Sequence, residues 1–212
     1  MLKNFIPEGV ADLNYDEFEK IQNIENSIVD VFRDCGYRQI MTPTFEYYDL
    51  FATDNISGGT EDMYKIMDAG GKMVVLKPDA TIPIARMIAT HHKRNDGEIK
   101  LMYLTNVYRS ADFRKGEKRE FRQAGIEYFG TCSPATDANV IETAIRALKE
   151  TGFADLKTEI GDTNFFNGLN KIKSKLKHNE KRVSINYAMR FFYFFVVFFI
   201  FFATTTRKFV II

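Results

Sequence analysis

Twenty-five residues, Asn106 to Gly130 (NVYRSADFRKGEKREFRQAGIEYFG), constrain this chain more than any others. Two apolar, aromatic-rich segments flank a loop crowded with charge. Leu101 to Tyr108 mixes Leu, Val and Tyr as a buried strand does. Phe121 to Phe129 sets Phe121, Gln123, Gly125, Glu127 and Phe129 on one face by period-two alternation. Between them Asp112 to Glu120 carries four basic and three acidic residues, the composition of a solvated loop. The pattern predicts a long hairpin. An amide at Gln123 and a carboxylate at Glu127 on one face can grip an ammonium group, and Arg109 across the hairpin can grip a carboxylate or phosphate. Together they suit a free amino acid. An ordinary charged hairpin with surface polar groups has the same spacing, and spacing alone leaves both readings open.

Upstream, Asn14 followed by Glu17 has the form of a capping box. Phe18, Ile21, Ile24, Ile28, Val31 and Phe32 then recur at three- and four-residue steps, which predicts an amphipathic helix of about five turns closed by Gly36 in a left-handed cap. GYRQIMTPTFE, Gly36 to Glu46, reads as a strand over Tyr37 to Met41, with Pro43 at an edge or bend because it has no N–H for a ladder. An edge strand after a long helix is a natural surface for a second copy of the chain. NISGGT, Asn55 to Thr60, is a loop without the Lys and Ser/Thr placement of a phosphate-binding P-loop.

Met73 to Leu76 reads as a short buried strand. In the following KPDATIPIARM, Thr81 can cap a helix from Ile82 with Pro83 in its first turn. Asp79 and Thr81 at the strand end can serve a ligand's amino group; capping alone explains Thr81 well and Asp79 in part. After the hairpin, a helix is predicted with Ala138, Ile141, Ile145 and Leu148 inward and Gly152 closing it. Asp155 to Ile160 is a further strand, and another helix should begin near Thr163. Lys171, Lys173, Lys175 and Lys177 alternate, which spreads them around a helix as a solvated face.

The chain of 212 residues allows one or two domains with a real core, and its net charge of +1 sets up no field toward nucleic acid or an anionic membrane. Two cysteines, Cys35 and Cys132, exclude a disulfide framework or a four-ligand zinc site within one chain and point to a reducing cytoplasm. His91, His92 and His178 lack metal-site spacing, and MLKNFIPEGVADL has no apolar signal region. From about Lys181 the character changes. Phe191 to Ala203 is thirteen consecutive apolar residues with eight phenylalanines. As a helix it would span roughly 20 Å, short of the about 30 Å of bilayer hydrocarbon. It reads as an aberrant segment and an aggregation hazard appended to a truncated domain, with a membrane tether as the minor alternative. The division is therefore residues 1–180 as the domain and 181–212 outside it.

Strands outnumber helices and neighbouring strands join as hairpins, so an α+β fold with a mostly antiparallel sheet flanked by helices is expected. With its motifs, this pattern resembles the class II aminoacyl-tRNA synthetase catalytic core, in its histidyl branch, over roughly residues 5 to 175. GYRQIMTPTFE resembles motif 1, which implies self-dimerisation through Gly36 to Glu46. VYRSADFRKGEKREF resembles the motif 2 loop, RQAGIEYFG the strand after it, and LKPDATIPIAR the Arg-Pro-Glu/Asp-x-Thr segment. Two members of the branch compete: histidyl-tRNA synthetase, and the regulatory subunit of short-form ATP phosphoribosyltransferase. The second binds histidine as feedback inhibitor and activates a separate catalytic subunit in a hetero-octamer-type assembly. IPEGVADL and EIGDTNFF are similar to the regulatory family. Where the synthetase motif 2 has Arg-x-Glu and Gly-Arg, Arg109 is followed by Ser110 and Ala111, and Gly116 by Glu117; a carboxylate near a triphosphate repels it.

By position, the resemblance implies a histidine site of Asp79, Thr81, Arg109, Gln123 and Glu127, holding the ligand's α-amino and carboxylate groups. The Arg-Gly-x-x-Tyr-Tyr segment, motif 3 and an anticodon-binding domain have no match, so the fold is expected to be incomplete at the C-terminus. The resemblance then implies a non-catalytic protein without cofactor, without tRNA and away from membranes; a synthetase fragment is the alternative.

Overall fold

Asn14 opens the first helix, α1 (Tyr15–Asp34), as the capping box predicts. Its side chain accepts from the Glu17 N–H at 3.0 Å, and the Glu17 carboxylate accepts from the Asn14 N–H at 3.1 Å. The computed structural model describes residues 6–52, 62–91, 97–110, 118–153, 155–162, 201–202 and 208–211. The helix closes as sharply as it opens. Gly36 stands at φ +85°, its N–H donates to Arg33 O at 2.9 Å, and the Tyr37 N–H donates to Phe32 O at 3.0 Å. This is a Schellman closure in a backbone region that glycine enters without strain. It brings the Tyr37 ring to 6.4 Å from that of Phe32.

In chain order, α1 is followed by β1 (Arg38–Gln39), β2 (Phe45–Tyr47), a 3-10 turn (Tyr48–Leu50), β3 (Lys65–Met67), β4 (Met73–Leu76), α2 (Thr81–His91), β5 (Ile99–Tyr108), β6 (Glu120–Phe129), α3 (Pro134–Glu150), β7 (Glu159–Asp162), β8 (Phe201–Phe202) and β9 (Lys208–Ile211). The predicted hairpin is β5–β6, paired antiparallel from Ile99 opposite Phe129 to Tyr108 opposite Glu120. β1 lies parallel along the other edge of β5. A second sheet has the order β2-β4-β3, all antiparallel. The segment from Gly36 to Glu46 thus leaves one sheet at Ile40, bends at Thr44, directly after Pro43, and enters another. A third set pairs β9 with both β7 and β8. The remainder of the phenylalanine-rich segment, the lysine run, the Asn55–Thr60 loop and the helix expected from Thr163 lie outside the described residues.

Alternation gives the hairpin two faces, each covered by helix. Met102, Ala124 and Ile126 pack against Ile28, Val31 and Phe32 of α1 and Ala147 and Leu148 of α3. Leu101 and Tyr103 point the other way, toward Ala80 and Ile84 at the start of α2. Burial of each large side chain in these clusters contributes about 2 kcal/mol.

Two helix faces differ from expectation. In α1, Phe18 and Ile24 are 45% and 46% exposed, whereas Glu25 is buried. Glu25 is drawn in by Arg122 of β6, whose Nη2 donates to Oε2 at 2.9 Å and whose Nε donates to Oε1. In α3, Ala138 is exposed and Ile141 and Ile145 are half-buried; the buried stripe is Thr143, Ala144, Ala147 and Leu148. Small residues there let α1 approach closely, so the contact face carries the smaller side chains. Among the described residues no helix is long and apolar enough to cross a membrane.

Candidate functional site

The turn from Lys77 to Thr81 leaves β4 and crosses the α2-facing side of the hairpin. It is fixed from below. The Lys77 N–H donates to Thr44 O at 3.0 Å, and Lys77 O accepts from the Tyr108 N–H at 3.0 Å. The Lys77 ammonium, 1% exposed, donates to Thr42 O at 3.1 Å and Thr42 Oγ1 at 3.4 Å. Burial pushes its pKa down, and the nearby Glu46 carboxylate opposes that. One turn into α2, Arg86 holds Glu46 through two bonds of 3.0 and 2.7 Å.

Thr81 does not cap α2; it lies inside the first turn. The Asp79 carboxylate reaches the Ile82 N–H at 3.4 Å, while the Thr81 hydroxyl donates to Glu127 Oε1 at 2.8 Å. The threonine is therefore turned across to the hairpin, toward the carboxylate.

Along β6, one face carries Phe121, Gln123, Gly125 and Glu127 in succession. At the first, the Arg109 guanidinium lies 5.1 Å over the Phe121 ring and its Nε donates to Pro78 O at 3.3 Å. At Gln123, Oε1 is buried and has no hydrogen-bond partner among the described residues. An acceptor left in that state is costly unless a donor arrives. At Gly125, directly opposite Tyr103, a Cβ would stand 2.4 Å from the Tyr103 hydroxyl. The tyrosine ring thus crosses the strand where a side chain would be, and forms the floor between Gln123 and Glu127.

The carboxyl groups are desolvated. Burial pushes Glu127 up from 4.5 to about 7; the Thr81 hydroxyl pulls it down and the Asp79 charge adds to the rise. Burial also raises Asp79, against the Ile82 N–H, the Arg109 guanidinium and the Thr81 N–H. Tyr103 is raised by burial first and then by both carboxylates, so its hydroxyl stays neutral.

The structure brings Thr81 and Glu127 into contact and sets Asp79 within electrostatic reach of Arg109, Glu127 and Tyr103. Gln123 shares their face but not their position. Four residues of strand separate it from Glu127 by about 13 Å at the backbone. With the Tyr103 ring between them, the two side chains present separate acceptors along one strand face. Tyr103 and Lys77 were missed by sequence reasoning. Pairing the hairpin in register would have set Tyr103 against Gly125, whereas nothing local announces that Lys77 is buried. Ala111 and Glu117, of the charged loop, lie outside the described residues.

Residues 9–187 match the family model described as histidyl-tRNA synthetase. An ATP phosphoribosyltransferase regulatory subunit from Ruminiclostridium cellulolyticum is 41% identical over 79% of this chain and 40% of its own length; one from Acetivibrio thermocellus has the same figures. Among solved structures, an ATP phosphoribosyltransferase regulatory subunit/histidyl-tRNA synthetase from Bacillus halodurans superposes with a TM-score of 0.72 at 32% identity, covering 80% of this chain and 43% of that one. The apo histidyl-tRNA synthetase of S. aureus gives 0.66 at 27% identity, covering 85% and 44%. The chain spans about 40% of the length of the curated relatives it matches.

Proposed function

The chain belongs to the histidyl-tRNA synthetase family, and we propose that it serves as a regulatory subunit of ATP phosphoribosyltransferase, binding L-histidine on the Arg109–Glu127 strip. The observation that carries this is one strand face that holds a buried Gln123 Oε1, without a partner among the described residues, and the desolvated Glu127 carboxyl, with Asp79 and Arg109 at its edge. Arg109 takes the ligand's carboxylate, Asp79 and Gln123 Oε1 its ammonium, and Glu127, at the far end, an imidazole N–H. The carboxylate-to-imidazole length of histidine suits acceptors set apart along one strand.

The regulatory reading is supported by the names of the relatives and, in the sequence, by Ala111 where the synthetase motif 2 has its glutamate and Glu117 where it has an arginine. In this reading the chain is not itself catalytic; it works in the cytoplasm, conveys histidine feedback to the transferase's catalytic subunit in a hetero-octamer-type assembly, and its domain is residues 1–180, with 181–212 outside. Titration calorimetry of the full chain with L-histidine, with and without the transferase, tests it. Binding that the transferase tightens is the expected result. No binding by a folded sample overturns the histidine site, and ATP–pyrophosphate exchange by the chain alone overturns the regulatory role in favour of a synthetase.

Self-association through Gly36 to Glu46 is part of the proposal. Met41 is 85% exposed and Phe45 54%, an apolar surface on the segment that links two sheets. Met41→Asp with Phe45→Asp should yield monomers in sedimentation velocity at concentrations where the parent is dimeric. A parent that is monomeric throughout would exclude this interface.

A further inference from the structure

Behind Glu127, on the other face of the hairpin, lies a cleft of about 270 Å³ between the end of α1, the Lys100–Tyr128 rung and α3. Its charges are sorted. Lys100 and Arg146 converge on Cys35: Lys100 Nζ donates to Cys35 O at 3.3 Å, and Arg146 Nη1 lies 3.9 Å from Cys35 Sγ, while its Nη2 pairs with the exposed Asp34 carboxylate at 3.5 Å. Glu98, two residues before Lys100, stands about 6.6 Å further along the extended chain. It is beside the Tyr128 hydroxyl, since a Cβ on Gly130 would meet that hydroxyl at 2.8 Å and Glu98 Cγ at 3.2 Å. Thr136 of α3 lines the same cleft, and Glu142 adds a second carboxylate. Tyr37, 4% exposed, also lines it, carrying a hydroxyl on a ring that lies 5.6 Å under the Lys100 ammonium. Burial raises that hydroxyl to about 12, so it remains a neutral donor.

A cationic end and an acidic end a few ångströms apart, with a buried, neutral tyrosine beside the cations, match a small molecule carrying both charges. We propose that this cleft is a second binding site, for a small zwitterion of the free α-amino acid class. The carboxylate lies at Lys100, Arg146 and the Tyr37 hydroxyl, and the ammonium at Glu98. The site is built from residues the histidine strip does not use and does not depend on it.

The full chain carrying Glu127→Gln, which silences the front site, is titrated with glycine and with L-alanine. One-site binding is expected, weakened about tenfold or more by Glu98→Gln and by Lys100→Met, and restored toward the parent by Lys100→Arg. Tyr37→Phe should weaken it severalfold. If Lys100→Met loses the fold, because Lys100 also closes α1, Glu98→Gln decides. Absence of glycine and alanine binding by folded protein overturns the site. So does binding indifferent to Glu98→Gln, or acetate and methylammonium each binding as tightly as glycine.

Discussion

Glu127→Gln should weaken histidine binding about a hundredfold and, at the same time, make the protein more stable at pH 8. The carboxyl goes from 4.5 to about 7 when burial removes its water. Between those values the folded chain holds a proton that the unfolded chain has released, so this group's contribution to stability falls as pH rises through the window. Above about 7 the whole penalty is present. Discounted for partial exposure, it is ~2 kcal/mol. Glutamine keeps the shape and can still accept from Thr81, but has nothing to ionise. Its advantage over the parent should be absent near pH 4 and fully developed by pH 8 in urea unfolding. Equal stability at pH 8 would refute the desolvation account. The same charge serves the ligand: without it an imidazole N–H loses its strongest acceptor, about a hundredfold in affinity. In the parent, histidine affinity should decline as pH falls below about 7, because the carboxyl protonates and ceases to accept as an anion. A flat profile from pH 8 to 6.5 would remove Glu127 from the site.

That stability is given up at Glu127 explains why part of this molecule was legible in its sequence and part was not. Asn14, Glu17 and Gly36 act within a few residues of themselves, and each does what its local chemistry dictates. The hairpin was legible because alternation over two strands has no other use, and Met73–Leu76 because its apolar run is short and bounded. The α3 face was misread because periodicity weighs large apolar residues, whereas the buried stripe is Thr143, Ala144, Ala147 and Leu148, of which Ala147 and Leu148 pack with α1. β2 and β3 are three residues each, too short for a pattern. Glu25 and Lys77 are charged residues taken inside by partners 97 and 35 positions away, and no window spans that. The candidate site residues share one surface, but strand rise, which sets Gln123 and Glu127 about 13 Å apart at the backbone, is not read from which face a residue occupies. Polar function breaks local rules, and tertiary partners compensate for it.

Gly125→Ala should be the most damaging single methyl in the hairpin. A glycine inside a ten-residue strand weakens it unless something occupies the missing side chain's place, and here the Tyr103 ring does. The added Cβ would stand 2.4 Å from the hydroxyl, 2.5 Å from Cζ and 2.9 Å from Cε1. Tyr103 is 7% exposed and packed with Ala80, Ile84 and Leu101, so the ring has no free direction. Overpacking of this kind costs about 3 kcal/mol, and the displaced ring would also fill the floor between Gln123 and Glu127, so histidine binding should be lost with it. The cause is separable by a double-mutant cycle. Tyr103→Ala is itself destabilising through the cavity it leaves, but in that background Gly125→Ala should be close to neutral, a coupling of about 2–3 kcal/mol. Tyr103→Phe should give little relief, because Cζ and Cε1 remain in the way after the hydroxyl is gone. If Gly125→Ala costs as much without the tyrosine as with it, the penalty belongs to the strand backbone, and the ring does not form the floor of the site.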